Sequence, residues 1–554
     1  MKEIMSPWQR FVGLLKLDKR DIKQLFYYAI FAGLVALSLP LGIQAIINLI
    51  QGAQLSTSWI VLVVLVTLGV AFQGALQLMQ VRILENIQQK IFTRSSFEFV
   101  YRFPKITMEE LRQYYPPELA NRFFDTLTVQ KGLSKILIDF PAAILQIAFG
   151  LMLLSFYHPF FIIYGILLLL LIYLVFKFTA KRGLETSLEE SKNKYKVAHW
   201  IQEIARSLVS FKLSGKTQLA MDRNDNLTAD YLDARENHFK VLVLQFIQMI
   251  GFKILVTSGL LVIGGLLVLN QQMNIGQFVA AEIIILLIIA SVEKLITGLE
   301  TFYDVLTSLE KIGQVVDKKL EGQEGIDPFE GNDTLLIELD HAGYTTPKGK
   351  EILKDLNFVL GSQDRLLLEG ASGSGKTTLL KMLSGLLPPT EGSLYVNHTS
   401  IKGVWANKYR AQVGQVLPEQ NPFEGTILEN ITLGDNNIPK KYLDEVLEVT
   451  GLFDFVKEQP DGLHTMLYPE GQQIPLTVSK RIVLARAIVN QPKFLLLKNP
   501  LEYFETSEAK KIIAYLTAPE RPWALVVATR SSLWNTACSR VITLQKGRLI
   551  AKKD

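Results

Sequence analysis

Long apolar segments before residue 300 are the feature that most constrains the fold of this 554-residue chain. A helix needs roughly 20 mostly apolar residues to cross about 30 Å of hydrocarbon. Such runs cover residues 25–50, 59–81, 141–157, 160–178, 241–270 and 276–297. They predict six membrane-spanning helices, with the third and fourth divided at His158 and Pro159. Pro40 is expected to kink the first, because proline removes a helical hydrogen bond.

The charges in the connecting loops predict an orientation. The connections 51–58, 158–159 and 271–275 contain no Lys or Arg. The long loops 82–140 and 179–240 are rich in bases and acids, and the N-terminal lead is basic. Because cytoplasmic loops carry an excess of Lys and Arg, the N-terminus, both long loops and the C-terminal part are predicted to be cytoplasmic.

Local patterns predict how the chain is divided. Stretches of the long loops such as 84–103 and 187–212 have apolar residues at helical spacing, so they are predicted to be helical extensions of the spans. Short β-rich runs alternate with helices beyond a Gly/Asp/Pro-rich linker, which is typical of an α/β domain. The predicted segments are a cytoplasmic N-terminal segment 1–24, a transmembrane domain 25–315, a linker 316–334 and an α/β domain 335–554.

Composition argues against two other classes of protein. Net charge is only +5, and basic residues interleaved with aromatics are not concentrated anywhere, so nucleic-acid binding is not expected. The single cysteine, Cys538, excludes an internal disulfide and a cysteine-based metal site. The 49% content of hydrophobic residues agrees with a membrane part joined to a soluble part.

A phosphate-binding loop lies within RLLLEGASGSGKTTLLKMLSGL, residues 365–386. An apolar strand precedes the Walker A pattern and an amphipathic helix follows it, which is the expected context. Backbone N–H groups of the loop and the helix N-terminus would bind phosphates, Lys376 would reach the outer ones, and the Thr377 hydroxyl would face Mg²⁺ if it binds. The candidate binding residues are Gly370, Ala371, Ser372, Gly373, Ser374, Gly375, Lys376, Thr377 and Thr378.

The order of motifs in this part resembles the nucleotide-binding domain of an ABC transporter. Tyr344 precedes the loop, and VGQVLPEQNPFEGTILENITLG, KRIVLARAIVNQPKFLLL, LVVAT and VITLQKGRLI follow it. With six spans ahead of this domain, nearly the whole chain resembles an ABC exporter half-transporter. The resemblance implies an all-α six-helix transmembrane domain followed by an α/β P-loop nucleotide-binding domain of ABC type. It also implies that Tyr344 stacks on the adenine of ATP and that short coupling helices lie at the tips of the long loops.

The same resemblance implies partners and a location. We expect a homodimer, or a heterodimer with another ABC half-transporter, in which ATP lies between the two nucleotide-binding domains. The lipid bilayer would be the plasma membrane, the inner membrane of a bacterium, and further proteins of an export complex would be additional partners. Peptide or protein cargo is favoured by analogy of architecture, which does not determine the substrate.

Two motifs depart from the family pattern: the loop glutamine, which in the family contacts magnesium and the attacking water, and the signature, which contacts the γ-phosphate held by the other subunit. Counted from GTILENI, the position of the loop glutamine is Pro418, with Gln420 two residues away. Counted from RIVLARA, the signature LSGGQ becomes Ile474, Pro475, Leu476, Thr477 and Val478. Proline lacks the N–H, and Leu476 and Val478 add bulk where the backbone must approach a phosphate closely.

The hydrolytic residues depart as well. In FLLLKN, the Walker B aspartate position is Lys498 and the catalytic glutamate position is Asn499. The switch histidine position is Thr529. An amide cannot accept a proton from water as a carboxylate does, so loss of hydrolysis is the expected consequence. We hypothesise that the Lys498 ammonium replaces Mg²⁺; the alternative is that Lys498 turns to solvent or pairs with an acid such as Glu369 or Glu502.

Polar residues within the spans are candidates for a cavity lining. Gln73 and Gln77 lie at helical spacing, and Lys253 and Glu282 are the charges most expected at membrane depth. Lys253 lies about 25 Å and Glu282 about 9 Å from the outer helix ends at about 1.5 Å per residue, so straight helices would not pair them. The same two alternatives apply to Gln44, Asn48, Gln80, Gln245 and Gln248. Each polar residue either lines a cavity, or it packs between helices or lies beyond the hydrocarbon.

Three functions remain open from the sequence. The leading one is an exporter-type transporter subunit that binds ATP but hydrolyses it poorly, with ATP as a structural or gating ligand. The second is a slow but active ATP-driven exporter, working alone or beside an active partner. The third is a membrane scaffold or regulator that does not transport.

Overall fold

Apolar runs of the N-terminal half form long helices in the computed structural model, which describes residues 5–51, 57–112, 114–331 and 334–551. The chain divides into a first unit, Met1–Pro104 with Gln113–Lys318, and a second unit, Lys105–Arg112 with Lys319–Asp554. The helices up to Val316 are α1 (Pro7–Leu17), α2 (Lys19–Ala36), α3 (Ser38–Gln51), α4 (Thr57–Arg102), α5 (Met108–Leu111), α6 (Pro116–Ala120), α7 (Asp125–Ser155), α8 (Phe160–Arg206), α9 (Leu208–Ser214), α10 (Gln218–Leu269) and α11 (Ile275–Val316).

The predicted number of spans is confirmed. Within the described ranges, six helical segments are long and apolar enough to cross a membrane: Lys19–Gln51, Thr57–Lys105, Pro116–Ser155, Phe160–Arg206, Gln218–Leu269 and Ile275–Val316. The helices α4, α8 and α10 run on from their apolar parts into the charged stretches 84–103, 187–212 and 218–240, apart from a short break at Ser207. The predicted helical extensions are therefore confirmed too.

The first span is interrupted as expected from its proline. α2 ends at Ala36 and α3 begins at Ser38, and Pro40 is the third residue of α3. Proline has no N–H to offer the Ala36 carbonyl and its ring crowds that carbonyl. The break at Leu37 therefore lies one turn before the residue that causes it.

Small residues bring α7 and α11 close together. A Cβ added to Gly150 would meet Ile288 Cγ1 at 3.1 Å, and one added to Gly132 would overlap Val305. Helices in a membrane associate by close packing rather than by the hydrophobic effect, and small residues permit this approach. α11 is the most extensively buried of the long helices and forms the centre of the first unit.

A buried polar network joins three helices at the end of the apolar region. Gln245 of α10 donates to Thr179 Oγ1 of α8 and to the Tyr303 hydroxyl of α11, both at 3.0 Å. Gly183 of α8 lies directly beneath the Tyr303 ring. Gln245 thus points inward, and its role is helix packing, the alternative left open by the sequence.

Gly183→Ala is expected to lower the melting temperature of the protein purified in lipid nanodiscs. The added methyl group overlaps the Tyr303 ring, and overpacking of this kind costs about 1–3 kcal/mol. Gly251→Ala in α10 is the matched control, because among the described residues no atom lies within 4 Å of a Cβ at that position. Equal melting temperatures in the two variants would contradict the packing described.

The second unit is an α/β domain, as predicted. Its strands are β1 (Leu336–Thr345), β2 (Glu351–Gly361), β3 (Arg365–Glu369), β4 (Glu391–Val396), β5 (Thr399–Ser400), β6 (Val413–Val416), β7 (Gly425–Thr426), β8 (Met466–Leu467), β9 (Phe494–Lys498), β10 (Ala524–Ala528), β11 (Arg540–Gln545) and β12 (Arg548–Ala551). Its remaining helices are α12 (Lys376–Leu383), α13 (Ala406–Ala411), α14 (Ile427–Thr432), α15 (Lys440–Val449), α16 (Phe453–Glu458), α17 (Leu476–Ile488) and α18 (Thr506–Thr517).

Two main sheets share the core of this unit. In the described chain one sheet has the order β2-β1-β4-β5 and is antiparallel, and the other has the order β12-β11-β3-β10-β9-β6. All pairs of the second sheet except β11–β12 are parallel. The strands β3, β9 and β10 are almost fully buried, which explains their unbroken apolar sequences.

A short segment from the first long loop belongs to the second unit. Ile106 bridges Leu320, and the Glu321 N–H donates to the Lys105 carbonyl at 2.8 Å. Glu321 in turn forms an ion pair with Arg410. The segment Lys105–Arg112 and the stretch after α11 are therefore ordered together on the α/β domain.

Candidate nucleotide-binding site

The loop between β3 and α12 has the backbone geometry that phosphate binding requires. Gly370 and Gly375 have φ values of 142° and 106°, and a Cβ at Gly375 would meet Leu353 Cδ2 at 2.8 Å. Both positions therefore need glycine. Gly375 is also the N-cap of α12, and in the described residues no side chain caps that end. The first amides of α12 are consequently available to an anion.

Lys376 lies at the base of this loop. Its Nζ donates to the carbonyls of Gly370 at 2.6 Å and Ala371 at 2.7 Å, and to Ser374 Oγ at 3.2 Å. The side chain is buried, whereas Ala371, Ser372 and Gly373 at the tip are exposed and Thr377 and Thr378 are half-buried. The backbone at the tip of the loop is thus open to solvent, and the Lys376 ammonium is buried below it.

The register of the parallel sheet brings three strand ends together. Ala528 of β10 lies beside Leu368 of β3 and beside Lys498 of β9. Asn499 follows Lys498 with φ of 44°, and its N–H donates to the Ala528 carbonyl at 3.0 Å. Lys498 and Asn499 therefore stand at the edge of the sheet from which the phosphate loop emerges.

Three cations lie close enough at this edge to affect one another, and we call Lys376, Lys498 and Arg530 the cation cluster. Burial lowers the pKa of the Lys376 ammonium to about 8, and the charges of Lys498 and Arg530 lower it as well. Burial and Arg530 also lower the pKa of Lys498, while Glu502 acts in the opposite direction. In the part of the chain that is described, no carboxylate lies within the 4.0 Å of an ion pair with Lys498.

Glu502 is engaged elsewhere. Its Oε2 accepts from Asn499 Nδ2 at 3.3 Å. Neither alternative partner of Lys498, Glu369 or Glu502, forms an ion pair with it among the described residues. The Lys498 side chain is half-buried, and burial together with the charge of Arg530 outweighs that of Glu502, so the pKa of Lys498 is lowered.

The donor set at the loop does not suit Mg²⁺. This ion requires near-octahedral oxygen coordination, usually through carboxylates, water and phosphate oxygens. Thr377 offers one hydroxyl, and the strand end opposite offers an ammonium instead of a carboxylate. Among the described residues there is no group of three or more His, Cys, Asp or Glu side chains that could hold a metal ion.

Pro418 lies exposed in the loop after β6, at the position that the resemblance assigns to a glutamine. The nearby Gln420 already forms hydrogen bonds within the protein. Its Oε1 accepts from the Leu417 N–H at 2.8 Å, and its carbonyl accepts from Lys480 Nζ at 3.2 Å. Gln420 would have to give up the first of these bonds to face a nucleotide.

The segment Ile474–Val478 leads into α17. Pro475 is the N-cap, and in the described chain no side chain caps this helix. Leu476 is 52% exposed, whereas Ile474 and Val478 pack against the core and Thr477 is half-buried. The exposed bulk expected here thus comes from Leu476, because Val478 turns inward.

Thr529 is buried, and its hydroxyl accepts from the Ser531 N–H at 3.2 Å. Arg530, the residue that follows Thr529, is exposed, and its charge lowers the pKa values of Lys376 and Lys498.

Tyr344 is only 1% exposed. Its hydroxyl accepts from Arg112 Nη1 at 3.0 Å, and the guanidinium lies 5.8 Å from the ring centroid. Burial raises the pKa of the phenol. Stacking on adenine stays a prediction, and it requires a ring face that is covered here to become accessible.

The membrane candidates are partly brought together. Lys253 Nζ of α10 donates to Glu293 Oε2 of α11 at 2.7 Å, a partner that the sequence did not single out. Glu282 is exposed and does not pair with Lys253, as the depth argument predicted. Gln73 is half-buried and Gln77 is exposed on α4, so a shared cavity for these residues stays a prediction.

Two family models match the two parts of the chain. The ABC transporter transmembrane region matches residues 25–292, and the ABC transporter model matches residues 353–502. The chain therefore belongs to the ABC transporters, with the membrane domain fused ahead of the nucleotide-binding domain. It is a multi-pass membrane protein, and the second match implies ATP binding.

A solved structure shows the same fold. The structure of a bacterial Atm1-family ABC exporter with ATP bound aligns with 96% of this chain and 94% of that chain, with a TM-score of 0.84 and 16% identity. The architecture is thus of the exporter type, which confirms the predicted fold class.

Alignments with curated relatives cover only part of each chain. The exotoxin translocation ATP-binding protein PaxB of Pasteurella aerogenes is 26% identical over 59% of this chain and 46% of its own length. The alpha-hemolysin translocation ATP-binding protein HlyB of Escherichia coli O157:H7 is 27% identical over 56% and 45%. The lactococcin-G-processing and transport protein LagD of Lactococcus lactis is 23% identical over 59% and 47%. The chain thus spans about half the length of these relatives.

Sequence reasoning missed Arg530, Arg112 and Glu293. Arg530 could have been found, because it lies two residues after β10, the strand that pairs with β9. Arg112 and Glu293 carried no comparable signal, since their partners lie 232 and 40 residues away in sequence.

Lys376→Ala is expected to weaken ATP binding about tenfold or more, because it removes a charge-assisted contact with phosphate. Equilibrium binding of ATP to the protein in nanodiscs measures the effect. Lys381→Ala is the control, since Lys381 lies on the same helix but pairs with Glu419 at 2.6 Å. Equal losses in the two variants would show that the loop ammonium has no special role.

Lys253→Met and Glu293→Gln are each expected to lower the melting temperature, because each leaves a charged partner unpaired. The double variant should lose less than the sum of the singles, with a coupling of about 0.5–3 kcal/mol. Glu282→Gln serves as the unpaired control on α11. Strictly additive losses would mean that the pair is not energetically coupled.

Proposed function

We propose that this chain is the subunit of an exporter-type ABC transporter that binds ATP and hydrolyses it little or not at all. The observation that carries the proposal is an intact phosphate loop beside a strand that ends in Lys498 and Asn499. The loop supplies affinity for phosphates. An ammonium and an amide cannot take a proton from the attacking water as a carboxylate does.

Other altered groups act in the same direction. Pro418, Pro475 and Thr529 occupy positions where the family resemblance expects a glutamine, a serine and a histidine. Loss of one well-placed catalytic group typically lowers the rate about 10²–10⁴-fold, and groups that act together do not add simply. Because several of these groups are altered together, the absence of ATP turnover is favoured over slow turnover.

Dimer formation does not supply the missing groups. In the family arrangement, each site joins the Walker motifs of one subunit to the signature of the other. A homodimer of this chain has two deficient sites. In a heterodimer with an intact half-transporter, one site lacks the acids of this chain and the other receives its altered signature.

The setting follows from the loops and the relatives. The distribution of Lys and Arg supports a cytoplasmic N-terminus and nucleotide-binding domain, with domain boundaries at 25–315 and 335–554. The bacterial relatives named for translocation of exotoxin and hemolysin and for transport of lactococcin G support the inner membrane of a bacterium and a peptide or protein cargo. ATP acts here as a gating ligand, through its different affinity for two conformations, and the dimer works alone or within a larger export complex.

The deciding experiment is ATP turnover by the purified protein in lipid nanodiscs, with Lys376→Ala as background and ATP binding measured in parallel. We expect binding by the unaltered protein and turnover no higher than that of Lys376→Ala. Turnover that Lys376→Ala abolishes would overturn the proposal and identify a slow exporter. Cargo flux into vesicles, compared with empty vesicles, then separates a transporter from a scaffold.

A further inference from the structure

At the ends of β9 and β10 the nucleotide site carries positive charges, and at β9 the family pattern has a negative one. An ABC nucleotide-binding domain is expected to carry a carboxylate at the end of β9, and this chain carries Lys498 there. Arg530 lies two residues after the end of β10. Both lower the pKa of Lys376, and the register of β9, β10 and β3 places all three cations at the same end of the sheet. In the described residues, neither Lys498 nor Arg530 makes an ion pair that would neutralise its charge.

We propose that the domain binds the triphosphate of ATP without Mg²⁺, with Lys498 and Arg530 supplying the positive charge that the metal normally provides. This inference rests on the proposed function, because it concerns the same ATP site. It goes further by assigning two binding residues and a metal requirement.

Electrostatics supports the exchange. A triphosphate chain carries several negative charges, and the end of β9, where a carboxylate would hold a divalent cation beside them, carries an ammonium. The nearby carboxylate of Glu502 accepts a hydrogen bond from Asn499 instead. Mg²⁺ would approach three positive side chains, which repel it. Conversely, a guanidinium and an ammonium both form strong charge-assisted hydrogen bonds to phosphate oxygens, the guanidinium often in a bidentate manner.

Position supports it as well. Lys498 is the last residue of β9 and lies in register with Ala528, two residues before Arg530. β10 in turn pairs with β3, from which the phosphate loop departs. The two cations therefore lie at the ends of adjacent strands, β9 and β10, at the same end of the sheet as the phosphate loop.

The test is equilibrium binding of ATP to the full-length protein in nanodiscs, once with Mg²⁺ and once with excess EDTA. We expect the two dissociation constants to agree within about threefold, a difference well under the tenfold that corresponds to one strong contact. Lys498→Gln and Arg530→Gln should each weaken binding in EDTA about tenfold. Lys402→Gln, which removes an exposed lysine elsewhere in the domain, should leave binding unchanged.

A gain of metal dependence distinguishes a binding role from a structural one. Lys498→Asp places a carboxylate at the strand end, so its binding of ATP should become dependent on Mg²⁺, falling about tenfold or more in EDTA. The melting temperature without nucleotide checks folding. Lys498→Gln should be at least as stable as the unaltered protein, because it relieves repulsion within the cation cluster.

The outcomes separate this inference from the proposed function. Binding in Mg²⁺ that is lost in EDTA would overturn the inference and leave ATP binding intact. Binding in neither condition would overturn both. Comparable binding in both conditions, weakened by Lys498→Gln and Arg530→Gln but not by Lys402→Gln, is the result expected.

Discussion

Parallel pairing of β3, β10 and β9 is the interaction on which the nucleotide site depends. Because these strands run in the same direction and in register, Leu368, Ala528 and Lys498 lie side by side at one edge. The phosphate loop leaves β3 at that edge, and α12 begins there with its positive end. Whatever residue ends β9 therefore lies at the same end of the sheet as the phosphate loop. A lysine at this point changes the charge of the site and is more than a surface substitution.

The features that could be predicted from the sequence are those that depend only on a short stretch of neighbouring residues. Each apolar run suffices by itself to predict a span, and the glycines of 370–375 define the phosphate loop without help from elsewhere. The break near Pro40 is local for the same reason. Pairing is different, since the contact of Lys253 with Glu293 depends on how α10 and α11 pack. Likewise, the hydrogen bond from Arg112 to Tyr344 joins segments that lie far apart in the chain.

Repulsion within the cation cluster has a consequence for stability. Charges of like sign that are partly desolvated raise the free energy of the folded domain. An anion that contacts all three relieves this repulsion in addition to forming its own contacts. A ligand at 100 times its dissociation constant stabilises a folded protein by about 2.7 kcal/mol. ATP bound without turnover would therefore be a lasting structural component of this domain.

Binding without hydrolysis limits the work that ATP can do. A ligand shifts a conformational equilibrium only by its differential affinity, and its release returns the same free energy. Repeated transport against a gradient would thus need another source of energy, such as an ion gradient or an active partner. A partner with intact acids would still place its ATP against the signature of this chain, where Pro475 has no N–H to offer the γ-phosphate. In such a heterodimer one site lacks the acids and the other has the altered signature, which favours a driving force outside the nucleotide sites.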